Sequence, residues 1–211
     1  MKIIKPSHEI LHLPDGEYIL KLIELAGRTC YKSEDHITVD SAKGFVKQIL
    51  DSGHHSVIEH INIMVRFICD RGVTHELVRH RLASFSQEST RYANYAKDKF
   101  GNEITAIKPS FWLEDSPEYA EWLKAMENSE RAYMQLIKLG ISPEKARSVL
   151  PNSLKTEIVM TCNIREWRHV LKLRCEQAAH PQMREIMLPL LAEFHEKIPV
   201  LFDDIYEKYN D

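Results

Sequence analysis

The sequence has no apolar run near the ~20 residues needed to cross a bilayer. Its first ten residues, MKIIKPSHEI, lack the apolar core of a secretory signal. The expectation is a cytoplasmic protein with no membrane partner. Cys30, Cys69, Cys162 and Cys175 show no C-x-x-C spacing and read as reduced thiols. Neither G-x-G-x-x-G nor a Walker A sequence occurs, so any nucleotide is held in neither Rossmann nor P-loop fashion. With a net charge of −3 and no wide basic face, the chain is not built to bind nucleic acid. Internal repeats, low-complexity segments and linker-like stretches are also missing, so residues 1–211 are expected to form one domain.

What is present is unevenly placed. Of the eleven histidines, five fall between residues 54 and 80. The stretch RHRLASFSQESTRY, residues 79–92, gathers Arg79, Arg81 and Arg91 with the hydroxyls of Ser84, Ser86, Ser89 and Thr90. Guanidinium groups offer forked donors matched to phosphate oxygens, and hydroxyls fill the remaining lone pairs. A solvated basic loop paired with surface carboxylates is the plainer reading. The embedded Leu82, Ala83 and Phe85 speak for an anchored segment instead.

Two further stretches carry candidate chemistry. In HHSVIEH, residues 54–60, His54, His55, Glu59 and His60 are possible metal ligands, but their spacing matches no H-E-x-x-H or similar motif. Structural or hydrogen-bonding histidines are the better expectation, and no metal is assigned. In NIREWRHVLKLRCE, residues 163–176, Trp167, Val170, Leu171 and Arg174 recur at helical spacing and share a face. An arginine ending an apolar stripe either points into a core or cleft or snorkels to water. Arg165 and His169 lie on a different face. Cys175 follows Arg174, but consecutive helix residues point ~100° apart, so packing is a better reading for the thiol than nucleophilic attack.

Periodicity supplies the architecture. Ser41–Leu50 has helical spacing, with Asp40 or Ser41 as N-cap and Gly53 as a stop. Residues 61–67 alternate like a half-buried strand, and residues 154–162 do so again. Asp70-Arg71-Gly72 turns the chain into a short helix. Helices are expected over residues 117–139, from Ser142-Pro143-Glu144 to Pro151, over 164–178, and from Pro181 to Tyr209 with breaks near Pro189 and Pro199. This pattern suits an α+β fold in which helices pack over a small, mostly antiparallel sheet.

Taken with its neighbours, the arginine stretch resembles a known signature. Arg79-His80-Arg81, seven residues, Ser89, one residue and Arg91 match the R-H-R-x7-S-x-R motif of the flavin-dependent thymidylate synthases. G-H-x-S-x-x-E-H appears as Gly53 to His60, A-R-x-x-L-P as Ala146 to Pro151, and the asparagine-led helix ending in Leu-Arg as Asn163 to Arg174. The landmarks run in the family's order over residues 53 to 174; the two ends of the chain carry little of it.

The resemblance implies methylation of dUMP at C5, with 5,10-methylenetetrahydrofolate as carbon donor and FAD relaying hydride from NADPH. It requires no protein nucleophile. Carried over by position, Ser56, Arg79, His80, Arg81, Gln87, Asn163, Ile164, Arg165 and His169 are the implied flavin-binding residues. Glu76, Leu77, Val78, Arg79, Gln87, Glu88, Ser89, Thr90, Arg91, Arg147 and Arg174 are the implied dUMP site. Arg174 is the implied catalytic residue, and His54 matches a histidine near flavin and folate. The family works as a homotetramer with sites shared between subunits: the Gln87 to Arg91 loop and Arg147 from one, Arg174 from its dimer partner. One departure is Ser86-Gln87, where the commoner motif has Asn-Glu; glutamine trades a charge for an NH₂ donor. The competing readings are a metal-dependent nucleotide phosphohydrolase built on His54, His55, Glu59 and His60, and a nucleotide-binding regulatory module without catalysis.

Overall fold

The computed structural model describes residues 1–210, the last of them by its backbone alone. In chain order the elements are β1 (Lys2–Ile4), β2 (Ser7–His12), α1 (Gly16–Tyr31), α2 (Ser41–Asp51), β3 (Asn62–Asp70), α3 (Arg71–Leu77) and β4 (Ala83–Gln87). There follow β5 (Thr105–Ile107), α4 (Pro117–Lys138), α5 (Pro143–Ala146), β6 (Lys155–Asn163), α6 (Ile164–Arg174), α7 (Pro181–Lys197) and α8 (Pro199–Asn210). A four-stranded antiparallel sheet has the order β2-β3-β6-β4, and β1 pairs with β5 in parallel, Lys2 opposite Thr105 and Ile4 opposite Ile107. The fold is α+β, as the periodicity implied.

The two long strands form because every second residue is apolar, apart from Thr156 in β6. Ile63, Val65, Phe67 and Cys69 are buried along β3, and Thr156, Ile158, Met160 and Cys162 along β6, while the residues between them are partly open. Where β3 ends, the Asp70 carboxylate accepts the Val73 N–H at 2.7 Å and starts α3 without an intervening turn. Gly72 leaves room for that carboxylate, since a Cβ there would lie 3.1 Å from Asp70 Oδ1.

The chain groups into two compact units. The first comprises Met1–His8, Arg66–Arg79 and Phe85–Val159. Its long helix α4 starts at Ser116, whose hydroxyl accepts the Tyr119 N–H, with Pro117 in the first turn. α4 buries Tyr119, Trp122, Met126 and Tyr133, the first three against Ala106 and the last against Tyr95, Ile104 and Leu154.

The second unit comprises Glu9–Val65, His80–Ser84 and Met160–Asp211. α6 lies at its centre, with Trp167 fully buried, its ring edge-on to Phe194 of α7 and its indole N–H donating to the Ile63 carbonyl at 3.1 Å. Burying side chains of this size contributes roughly 1.5–3 kcal/mol each. α6 stops at Arg174, four residues earlier than its helical pattern suggested. The expected break at Pro189 does not occur: α7 runs through it. The proline is exposed, while Met183, Ile186, Met187, Leu190, Leu191 and Phe194 bury one continuous face around it. That burial offsets the ~3 kcal/mol of an interior proline. The break at Pro199 is real, with Ile198 between α7 and α8.

Candidate active site

In the first unit the arginine stretch leaves β4 as an anchored loop. The Glu88 N–H donates to the Glu157 carbonyl at 2.8 Å, carrying the strand pairing one residue past β4. The Thr90 side chain is buried, and its hydroxyl accepts from Arg147 Nη1 at 3.1 Å across 57 residues of sequence. Arg147 itself is exposed, as are Ser89 and Arg91. Ser89 Oγ accepts the Arg91 N–H at 3.3 Å, and the Arg91 guanidinium lies 3.8 Å from Glu144. Thus Ser89, Arg91 and Arg147 offer an exposed hydroxyl and two guanidiniums, with Thr90 buried behind Arg147, the chemistry that a phosphate requires. Glu88 is differently employed: Lys155 donates to it at 3.0 Å and the Tyr95 hydroxyl at 3.2 Å. Burial, with Glu88 nearby, pushes the Tyr95 hydroxyl well above the usual phenol range. Glu76 and Arg79 lie at the end of α3, half-buried and exposed; Leu77 is fully buried and Val78 exposed.

The structure also accounts for Gln87. Its NH₂ donates to the hydroxyls of Thr74, at 3.0 Å, and Thr156, at 3.3 Å, tying together α3, β4 and β6. Thr74 passes its own hydroxyl proton to the Arg71 carbonyl at 2.9 Å, so it needs a donor at position 87. Gln87→Leu is therefore expected to lower stability by about 1–3 kcal/mol, since two buried hydroxyls lose a donor. Chemical denaturation checks this; an unchanged midpoint would show that the amide is not a staple. One residue in this unit escaped the sequence reading: Arg71, whose Nη1 is buried and meets no hydrogen-bond partner among the described residues.

The second unit holds another cluster. Asn163 caps α6 by accepting the Glu166 N–H at 2.9 Å. From α6, Glu166, His169 and Arg174 approach His80, the middle residue of Arg79-His80-Arg81. Arg174 Nε donates to His80 Nε2 at 3.0 Å, and His80 Nδ1 lies 3.4 Å from Glu166 Oε1. The His80 and His169 rings meet edge-on, with centroids 5.7 Å apart. Burial first, then the charges of Arg174 and His169, lowers the His80 pKa to about 4, so the imidazole is neutral at physiological pH. An arginine cannot accept a hydrogen bond, so Nε2 carries no proton and the single N–H is on Nδ1.

Other expected flavin residues lie around this cluster or elsewhere. Ser56, Arg81, Arg165 and His169 are exposed in the same unit, while Arg79 and Gln87 belong to the first. Arg165 donates to Glu59. The Ile164 side chain is fully buried, and its N–H is spent on the Ile61 carbonyl. His54 Nδ1 meets the Tyr31 hydroxyl at 3.3 Å beside a cavity of about 350 Å³ that also takes in Arg28 and Gln48. The exposed set, a hydroxyl, two guanidiniums and an imidazole, consists of donors and positive charge. It fits the pyrophosphate of a dinucleotide such as FAD.

Metal and nucleophile chemistry fit less well. The one set of three potential ligands found among the described residues is His80, Glu166 and His169, not the residues 54–60 group. A His80 whose Nδ1 holds the proton and whose Nε2 accepts from Arg174 has no lone pair left for a cation. Glu59 and His54 are engaged with Arg165 and Tyr31. Cys175 is fully buried and its thiol is pushed up to about 12, chiefly by burial, so it packs and does not attack. Burial raises Cys69 and Cys162 even further.

The family model of the thymidylate synthase complementing protein matches residues 15–200. A flavin-dependent thymidylate synthase of Pyrococcus abyssi is 36% identical over 163 residues, covering 77% of this chain and 66% of that protein. Its counterpart from Mycobacterium avium is 34% identical over 202 residues, covering 87% and 78%. In three dimensions the chain is similar to a UMP/dUMP methylase from Streptomyces cacaoi solved with 5-Br dUMP. The TM-score is 0.78 over 99% of this chain and 98% of the other at 23% identity, a likeness of fold. With the family model spanning most of its length and both arginine clusters folded as described, the chain belongs to the flavin-dependent thymidylate synthases.

Proposed function

We propose that the protein makes dTMP by reductive methylation of dUMP, with 5,10-methylenetetrahydrofolate as carbon donor and NADPH as the source of electrons. FAD, held by Ser56, Arg81, Asn163, Arg165 and His169, with His80 buried behind them on Arg174, supplies the hydride when bound. The observation that carries the reading is Arg174. It ends a fully buried stripe of Trp167, Val170 and Leu171, and its Nε is fixed on a neutral histidine. A guanidinium held in that way, set against the carbonyl and N3 edge of uracil, stabilises the enolate-like anion and makes C5 nucleophilic. Arg147 with Thr90, Ser89 and Arg91 takes the dUMP phosphate. The buried, high-pKa thiols fit a route with no enzyme–uracil bond.

In this reading residues 1–211 act as one catalytic domain in a cytoplasmic homotetramer whose sites are shared between subunits, and folate and NADPH use the same site as FAD and dUMP. No helix among the described residues is long and apolar enough to cross a membrane. The test is dTMP formation by the FAD-loaded protein. Yellow protein that converts dUMP only when methylenetetrahydrofolate and NADPH are both supplied supports the reading. Protein that binds no flavin and forms no dTMP overturns it.

A further inference from the structure

We propose that Glu166 is a positioning residue for Arg174 and acts through His80: its carboxyl group holds the imidazole in the one tautomer that accepts from the guanidinium. The proposal rests on the assignment of Arg174 to dUMP, and the family motif does not include Glu166.

The geometry sets up the relay. His80 Nε2 receives the Arg174 Nε–H at 3.0 Å, and its opposite nitrogen faces Glu166 Oε1 at 3.4 Å. A neutral imidazole has one proton to place. If it sat on Nε2, two donors would confront each other; on Nδ1, Nε2 accepts from Arg174 and the proton faces the Glu166 carboxyl at 3.4 Å. The Arg174 donor disfavours a proton on Nε2, and an acceptor facing Nδ1 strengthens that choice by giving the displaced proton a partner; Glu166 is that acceptor. Both side chains are buried, with 7% of Glu166 and 5% of His80 exposed, so water has little access to substitute for either partner.

Glu166 occupies the third position of α6, where a glutamate commonly reaches back to the N-cap backbone. Here Asn163 already caps the helix at 2.9 Å, and the carboxylate turns to His80 instead. Eight residues separate Glu166 from Arg174, roughly 12 Å of helix rise. His80 bridges that span from outside the helix, linking its first turn to its last. Burial raises the Glu166 pKa, with His169 opposing the shift, so the carboxyl sits inside at a cost that a helix start alone does not require.

The test is a double-mutant cycle on FAD-loaded protein, read as dUMP affinity by calorimetry and as kcat. Glu166→Leu, which offers no acceptor, is expected to weaken dUMP binding about tenfold or more and to lower kcat at least as much. Glu166→Gln keeps an acceptor oxygen and should stay within roughly threefold of the unaltered protein. In an Arg174→Ala background, adding Glu166→Leu should change dUMP affinity by less than about twofold, because the relay then has nothing to aim. Additive losses, or a harmless Glu166→Leu, overturn the proposal.

A second readout needs no variant. Nitrogen-15 NMR of labelled histidine in the FAD-loaded protein should show His80 neutral at pH 7 with its proton on Nδ1. A proton on Nε2, or an imidazolium, refutes the relay. Should the unaltered protein bind no dUMP, the functional reading fails by itself, and the tautomer spectrum still decides the relay.

Discussion

Arg174→Lys will fold, hold FAD and lose most of its turnover, by about a hundredfold or more, the scale of removing one preorganised donor from a charge-stabilising site. The charge survives the substitution; the planar fork does not. A guanidinium can give Nε to His80 and still address two uracil atoms through its terminal nitrogens, in one fixed plane. An ammonium must divide three tetrahedral donors between the same partners from a shorter stem. It is also strongly hydrated where the arginine is weakly so. The measurement is kcat for dTMP formation alongside the flavin absorbance of the purified variant. Retained yellow colour with near-normal turnover would remove Arg174 from the role assigned to it.

Arg147→Ala and Arg174→Ala, each inactive alone, will restore activity when co-expressed. The basis is that two clusters of unlike chemistry are present, Thr90 with Arg147 in one unit and His80 with Arg174 in the other, each proposed to take part of the ligands. In the proposed assembly one subunit supplies the first cluster and its dimer partner the second. In a mixed dimer related by a two-fold axis, one site collects both lesions and the other none. About half of the sites in a verified mixed dimer should then work. The experiment is activity of hetero-oligomers purified through two different tags. A rate no higher than that of the parents would show that each subunit builds its own site from these two residues. Arg147→Ala leaves the buried Thr90 hydroxyl without its donor, a loss of about 1–3 kcal/mol. The melting temperature of that parent is therefore measured too.

Much of this is legible in the sequence. β3 and β6 announce themselves because their alternation is strict and each buries one face. The caps at Asn163 and Ser116, and the prolines at the starts of α4, α5 and α7, mark helix boundaries by local chemistry. α1 is not evident from periodicity, although the Asp15 carboxylate accepts from both Glu17 and Tyr18. Its exposed Tyr18, Leu25 and Tyr31 blur the contrast between faces on which periodicity depends. β1 and β5, three residues each, are too short to carry a period. Pro189 misled because propensity is local, whereas the burial that outweighs it is tertiary.

At the site, the motif residues were identifiable but their partners were not. Nothing in the sequence says that Thr90 waits for Arg147, or that His80 stands between Glu166 and Arg174. Those pairs lie 57 and 94 residues apart for Thr90–Arg147 and His80–Arg174, and only the fold closes such distances. Glu166 carries no signal of its own in the sequence, and Arg71 reads as part of a turn. Gln87, which looked like a charge missing from a ligand site, is an amide donor that two threonine hydroxyls require.

The central claim is that the electrons which turn the transferred carbon into a methyl group come from flavin held by this chain. It is tested most directly in a single turnover. FAD-loaded protein is reduced without oxygen, freed of NADPH, and mixed with dUMP and methylenetetrahydrofolate while the flavin colour is followed and dTMP is counted. The account requires the yellow of oxidised flavin to return only when both substrates are present, with one dTMP for each flavin oxidised. Formation of dTMP while the flavin stays reduced, with dihydrofolate as the co-product, would contradict it.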